Sequence, residues 1–186
     1  RIEAEGEVAL ISDAGTPAIS DPGYLLVRAC LERGIEVECL PGATALIPAL
    51  VISGLPADRF TFGGFLPVKK GRQTKLQEIA QSDRTVILYE SPHRLLKTLT
   101  QLSEHTSLDT PVVAVRELTK LHEEAVRGSL AELIEHFTKQ EPRGEFVLLL
   151  GRSSTFETKT REPLAPPSLS SEDDPRKMKR SKKWNK

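Results

Sequence analysis

The densest group of chemically capable residues is Ser12-Asp13-Ala14-Gly15-Thr16-Pro17-Ala18-Ile19-Ser20-Asp21-Pro22-Gly23, with two Asp, two Pro and two Gly in twelve positions. Gly15 lets backbone approach a ligand closely, and Asp13 and Thr16 can exchange hydrogen bonds with hydroxyl and amine groups. A strand-to-helix connection whose Asp and Pro only cap and turn accounts for the same residues. The segment is neither a P-loop nor G-x-G-x-x-G, so nothing in it argues for ATP or NAD.

A second turn, Pro41-Gly42-Ala43-Thr44-Ala45, joins small residues to the start of a helix, where free N–H groups suit a carboxylate. Two such turns after consecutive parallel strands open on one edge of a sheet, which makes a joint site more credible than either turn alone.

Two further clusters carry charge. Tyr89-Glu90-Ser91-Pro92-His93-Arg94 sets an acid, a histidine and an arginine where a strand gives way to a helix. It is either a substrate-facing group or local capping by Ser91 with solvated neighbours. Arg116-Glu117-Leu118-Thr119-Lys120-Leu121-His122-Glu123-Glu124 follows an apolar run, and it is either a solvated loop or a constellation just past a core strand, where catalytic side chains gather. His93, His105, His122 and His136 show no paired ligand spacing, so no metal is expected. No G-x-S-x-G elbow occurs.

The elements that must position these residues alternate. Residues 8–11 read as a buried strand, Asp21 and Pro22 as the start of a helix stopped by Gly34, and residues 35–40 as a strand. Thr44 caps a helix through Val51 that Gly54 ends. After a connection at residues 55–58 come a phenylalanine-rich strand to Phe65, a basic loop (Lys69, Lys70, Arg72) and a helix over 73–81. A strand over 85–89 and a helix carrying Leu95, Leu96, Leu99 and Leu102 follow, then strands over 111–115 and 124–127, a helix capped by Ser129, and a closing strand over 145–150. The fold class is α/β, with a mainly parallel sheet first and a mixed sheet after it. The expected divisions are 1–56, 57–151 and a disordered tail over 152–186.

Of 186 residues, 38 % are apolar and 28 % charged, as in a globular protein with a real core. No apolar run approaches the roughly 20 residues that cross a bilayer, and the first residues are not signal-like, so a cytoplasmic location is expected. The two cysteines, Cys30 and Cys39, read as buried reduced thiols. The net charge of zero hides ten Lys and Arg against five Asp and Glu in residues 152–186, either a solvated tail or an arm attracted to RNA phosphates. A start at Arg1, close to a strand-like run, reads as the interior of a longer protein.

Taken in order, residues 12–17 with 20–23, Pro41-Gly42, Ser53-Gly54-Leu55-Pro56, Phe62-x-Gly64-Phe65-Leu66-Pro67, Tyr89-Glu90-Ser91-Pro92-His93-Arg94, Arg116-Glu117-Leu118-Thr119-Lys120 and Gly144-Glu145-Phe146-Val147 resemble the small-subunit ribosomal RNA methyltransferases of the tetrapyrrole-methylase superfamily. The resemblance spans residues 8–151. It implies a two-domain fold, S-adenosyl-L-methionine held in the cleft between the domains, a homodimer, and methylation of a cytidine ribose 2′-hydroxyl in 16S rRNA. It also implies cofactor contacts at Asp13, Ala14, Gly15, Thr16, Thr44, Ala45 and Tyr89. Relative to that family the chain is expected to lack a first half-domain of roughly 80 residues. For the transfer itself, Glu90 or Glu117 is expected to orient the hydroxyl or take its proton, and Arg94, Arg116 and Lys120 to hold neighbouring phosphates. The alternatives are a methylase of a uroporphyrinogen or precorrin precursor and a non-catalytic RNA-binding or assembly module.

Overall fold

The computed structural model describes residues 2–152, and the expected disordered tail lies outside them apart from Arg152. The centre of the fold is a five-stranded sheet in which β1 (Phe60–Phe65), β2 (Thr85–Glu90), β3 (Pro111–Arg116), β4 (Glu124–Ser129) and β5 (Phe146–Leu150) take the order β1-β2-β5-β3-β4. β1 and β2 run parallel, and β5 lies antiparallel between β2 and β3. β3 and β4 pair antiparallel over six residues.

β2, β3 and β5 are continuous apolar runs because helices cover both faces of the sheet. On one face α4 (Arg72–Ala80), α5 (Pro92–Leu102) and α6 (Leu130–Lys139) bury Leu76, Leu95, Leu99, Leu133 and Phe137 against Val86, Leu88, Leu148 and Leu150. The α6 stripe starts cleanly because Ser129 and Glu132 close a capping box. On the other face α3 (Leu46–Ser53) lays Ala49 and Leu50 on Ile87, Val113, Val147 and Leu149. Arg127 ties α3 down by donating to the Ile52 carbonyl at 2.5 Å.

The sequence expectations fail in part before residue 46. Residues 8–11 and 35–40 form no strand among the described residues, and Ile11 is 85 % and Leu40 79 % exposed. An apolar run becomes a strand only when a ladder partner satisfies its backbone, and neither run has one here. Cys39 is consequently exposed rather than buried, whereas Cys30 is buried in α2 (Tyr24–Glu32), and both thiols are free. α2 is preceded by Gly23 rather than capped by Asp21, and α3 by Ala45 rather than Thr44, each a shift of one or two residues at a helix start. A four-residue helix, α1 (Ile2–Glu5), was not expected from the sequence. Among the described residues no helix is long and apolar enough to cross a membrane.

Candidate functional site

The loop over residues 12–23 is tightly wound. Gly15, Ala18, Ser20 and Gly23 all take positive φ, at 75°, 68°, 56° and 150°, and for Ala18 and Ser20 that conformation costs energy the surroundings must supply. Ser12 Oγ donates to the Ala14 carbonyl at 2.9 Å. Thr16 Oγ1 donates to the Ala43 carbonyl at 3.0 Å, across 27 residues of chain. Gly15 and Gly42 border that meeting, where a Cβ on either would stand 3.6 Å from the nearest atom in ordinary contact, so it is the φ of 75° at Gly15 that favours glycine there. The turn bearing Asp13, Ala14, Gly15 and Thr16 is therefore bonded to the turn that precedes Thr44 and Ala45 at the start of α3. Asp13, Ala14 and Gly15 are exposed, and Thr16, Thr44 and Ala45 half-buried.

The same loop reaches the sheet. A Cβ on Gly64 would lie 3.1 Å from Ser20 Oγ, so β1 and the loop touch where β1 approaches its carboxyl end. β1, β2 and β3 all end on that edge: Phe65 pairs with Tyr89, and Glu90 and Arg116 both pair with Phe146. Strand alternation then separates two neighbours that read as one motif in the sequence. Tyr89 turns toward the face covered by α3, where its ring meets Phe62 at 4.9 Å and Phe65 at 5.6 Å edge to face. Glu90 turns the other way, beneath α5.

Glu90 is 2 % exposed and fully engaged. Its Oε1 accepts from the Ser91 amide at 2.9 Å and faces Arg94 Nε at 3.4 Å, and its Oε2 accepts from Thr98 Oγ1 at 2.7 Å. Arg72 donates through Nη2 to Thr98 Oγ1 at 2.7 Å, through Nε to Gln101 at 2.8 Å and through Nη1 to the Pro67 carbonyl at 3.2 Å. Arg94 Nη2 donates to the Leu66 carbonyl at 2.6 Å. Burial, then the nearby Arg94 charge, holds the Arg72 pKa below its ordinary value. The network locks the backbone that follows β1 onto α5. Thr98 is the member that sequence reasoning passed over, and Arg72, expected in a basic loop, is drawn inward instead. Thr98 had a signal: it falls within the stripe Leu95, Leu99, Leu102 of α5, a polar residue on the buried face.

The Arg116 to Glu124 segment is braced too. Glu117 (φ 46°) and Thr119 (φ 66°) are strained, and the Glu117 amide donates to the Glu145 carbonyl at 3.0 Å. Glu117 Oε1 accepts from the Glu145 amide at 2.9 Å and from Lys120 Nζ at 3.2 Å. The Glu145 amide first, and Lys120 second, hold the Glu117 carboxyl below the usual glutamate range. Glu145 and Glu117 in turn raise the Lys120 pKa. Arg116 Nε stands 2.6 Å from Glu124 Oε2 as an ion pair. The Lys120–Glu145 pair is exposed, and such pairs contribute little to stability, so Lys120 can exchange a carboxylate for a phosphate at small cost, whereas Arg116 Nε is buried beside Glu124. Among the described residues no group of three or more His, Cys, Asp or Glu is placed to hold a metal ion.

The sequence pattern of the tetrapyrrole (corrin/porphyrin) methylases matches residues 1–134. The chain belongs to that family. Among its relatives in the family, ribosomal RNA small subunit methyltransferase I of Synechocystis is 54 % identical over 81 % of this chain and 54 % of its own length. The protein of that name from Thermotoga maritima is 46 % identical over 77 % of this chain and 64 % of its own. The one from Mycobacterium tuberculosis is 54 % identical over 68 % and 45 %. The chain thus spans about half the length of these relatives. Solved methylases of the family share the fold: the methyltransferase CobJ superposes with a TM-score of 0.62 at 21 % identity, over 81 % of this chain and 67 % of that one. Uroporphyrin-III C-methyltransferase from Thermus thermophilus, solved with S-adenosylhomocysteine, superposes at 0.54 with 25 % identity, over 75 % and 63 %.

Proposed function

We propose that the protein is an S-adenosyl-L-methionine-dependent methyltransferase that acts on the ribose 2′-hydroxyl of a cytidine in 16S rRNA, working as a homodimer. The observation that carries this reading is the 46–54 % identity to relatives named for small-subunit ribosomal RNA methylation. That identity is far above the 25 % shared with the uroporphyrin-III C-methyltransferase.

The bonded pair of turns suits the cofactor. Asp13, Ala14, Gly15 and Thr16 present small side chains and open backbone on one turn, and Thr44 and Ala45 lead into the α3 amino end, whose unbonded N–H groups favour a carboxylate. Tyr89 closes the sheet side of the same face. When bound there, the sulfonium supplies an electrophilic methyl group.

The chain's own residues have to align a ribose hydroxyl and ease the loss of its proton. Glu90 and Glu117 differ for that task. Both Glu90 oxygens are committed inside the fold, which leaves it to position Arg94 and the β1–α4 connection. Glu117 stands at the exposed edge, ionised at neutral pH, and can hold the hydroxyl as a hydrogen-bond acceptor, while Arg116, Lys120 and Arg94 neutralise adjoining phosphates. The test is transfer of a labelled methyl group by the complete protein that carries this sequence, offered small ribosomal subunits or uroporphyrinogen. Label in a 16S cytidine ribose is the expected outcome, and label only in the macrocycle would overturn it.

A further inference from the structure

Phe62 and Phe65 are three residues apart on a strand whose like-facing positions should be two apart. The register explains the discrepancy. Phe62 pairs with Ile87, Gly64 with Leu88 and Phe65 with Tyr89, so Gly63 is an extra residue, a β-bulge. Glycine spares the bulge a displacement, because a Cβ on Gly63 would sit 2.7 Å from Leu88 Cδ2 and push that buried side chain aside. The bulge turns Phe65 back to the face that Phe62 occupies, and both rings then bracket Tyr89.

Phe65 nevertheless keeps 54 % of its surface exposed, on an edge strand of the sheet. Its surroundings are polar in a definite way. Immediately before Phe65, Gly64 meets Ser20 of the loop assigned above to the cofactor. Immediately after Phe65 the backbone is pinned twice, by Arg94 on the Leu66 carbonyl and by Arg72 on the Pro67 carbonyl. Lys69 and Lys70 follow, both exposed, and among the described residues neither joins an ion pair. An exposed ring is thus held on rigid backbone between a candidate methyl-donor loop and two unpaired cations.

We infer that the Phe65 ring is the platform on which the base of the target nucleotide stacks, with Lys69 and Lys70 taking the flanking phosphates. The inference rests on the ribosomal RNA reading and deepens it. Ribose methylation requires the sugar to be presented at the donor, and an unstacked base laid on an aromatic face is a general means of fixing a single nucleotide. Stacking tolerates any base, so the ring fixes position while other contacts select the sequence.

The experiment compares Phe65→Leu, Phe65→Tyr and Phe65→Trp in the complete protein, with methyl transfer to small ribosomal subunits, affinity for S-adenosylhomocysteine and melting temperature measured for each. Phe65→Leu should lose about tenfold or more in kcat/KM, and the two ring variants should stay within about threefold, with cofactor affinity and melting temperature unchanged in all three. An active Phe65→Leu enzyme would overturn the inference while leaving the ribosomal reading intact. So would a loss that appears equally in cofactor affinity or melting temperature, because the ring would then only pack on Tyr89. Failure of the unsubstituted protein to methylate subunits would remove the functional reading and this inference with it.

Discussion

A side chain on Gly144 would begin 2.6 Å from Cγ of Glu117, so the turn before β5 and the strained residue after β3 are built against each other. Gly144 also takes φ 83°, a conformation that L side chains rarely adopt. Gly144→Ala should therefore destabilise the fold by about 1–3 kcal/mol and displace the Glu117 carboxylate from the Glu145 amide. Urea unfolding measures the first effect. A fall in kcat larger than the fall in subunit affinity would mark the second.

Thr98 joins Glu90 to Arg72 in the interior. Replacing it by valine keeps the shape and leaves a buried carboxylate oxygen and a guanidinium N–H without their partner, at a cost of about 1–3 kcal/mol. Thr98→Ser should recover most of it. Equal unfolding midpoints for the threonine and valine proteins would show that the network does not hold α5 to the β1–α4 connection.

The Thr16 bond to the Ala43 carbonyl joins the two turns assigned to the cofactor. Thr16→Ala removes about 1 kcal/mol of interaction between them, which should weaken S-adenosylhomocysteine roughly fivefold in calorimetric titration. The melting temperature in the absence of ligand should barely move, since the bond lies in an exposed segment.

Glu117 gives the stability an acid limb. Its carboxyl is more acidic in the folded chain than in the unfolded one, first because the Glu145 amide donates to it and then because Lys120 does. The unfolded state consequently binds the proton more readily. The stabilisation is complete above the unfolded pKa and is lost as pH falls through the folded one, a window that opens at about pH 5 and extends downward. Between pH 7 and pH 3, urea midpoints should fall less for Glu117→Gln than for the native chain. Parallel curves would remove Glu117 from the acid limb.

The elements after residue 57 were legible in order and type, with their ends off by one or two residues. The strands expected over 85–89, 111–115 and 145–150 are Thr85–Glu90, Pro111–Arg116 and Phe146–Leu150, and Ser129 marks the start of its helix as expected. Residues 8–11 and 35–40 were misread because hydrophobicity reports that a segment seeks burial and not which neighbour supplies it. Residues 12–17 do meet 41–45, as the two turns suggested, but without the parallel strands on which that expectation rested, and the order in which β5 enters the sheet had no signal in the sequence. Arg72 was grouped with Lys69 and Lys70 as one basic loop. Three hydrogen bonds draw it inward, and only the two lysines remain as surface charge. The Gly63 bulge was invisible for a similar reason: two adjacent glycines show tolerance for odd geometry, and only the partner strand decides which of them is the extra residue.

The place of β5 also bears on how this sheet is made. Among the described residues it is the last strand in sequence and the middle one in space, so β1 and β2 on one side and β3 and β4 on the other stay unjoined until residues 146–150 leave the ribosome. Through that interval the nascent chain carries two bare backbone edges, on β2 and on β3, each an apolar run open to pairing with another chain. A chain halted before Phe146 would be a source of aggregation rather than a smaller folded unit. Closure of the sheet is a single late event that creates the floor of the candidate site all at once.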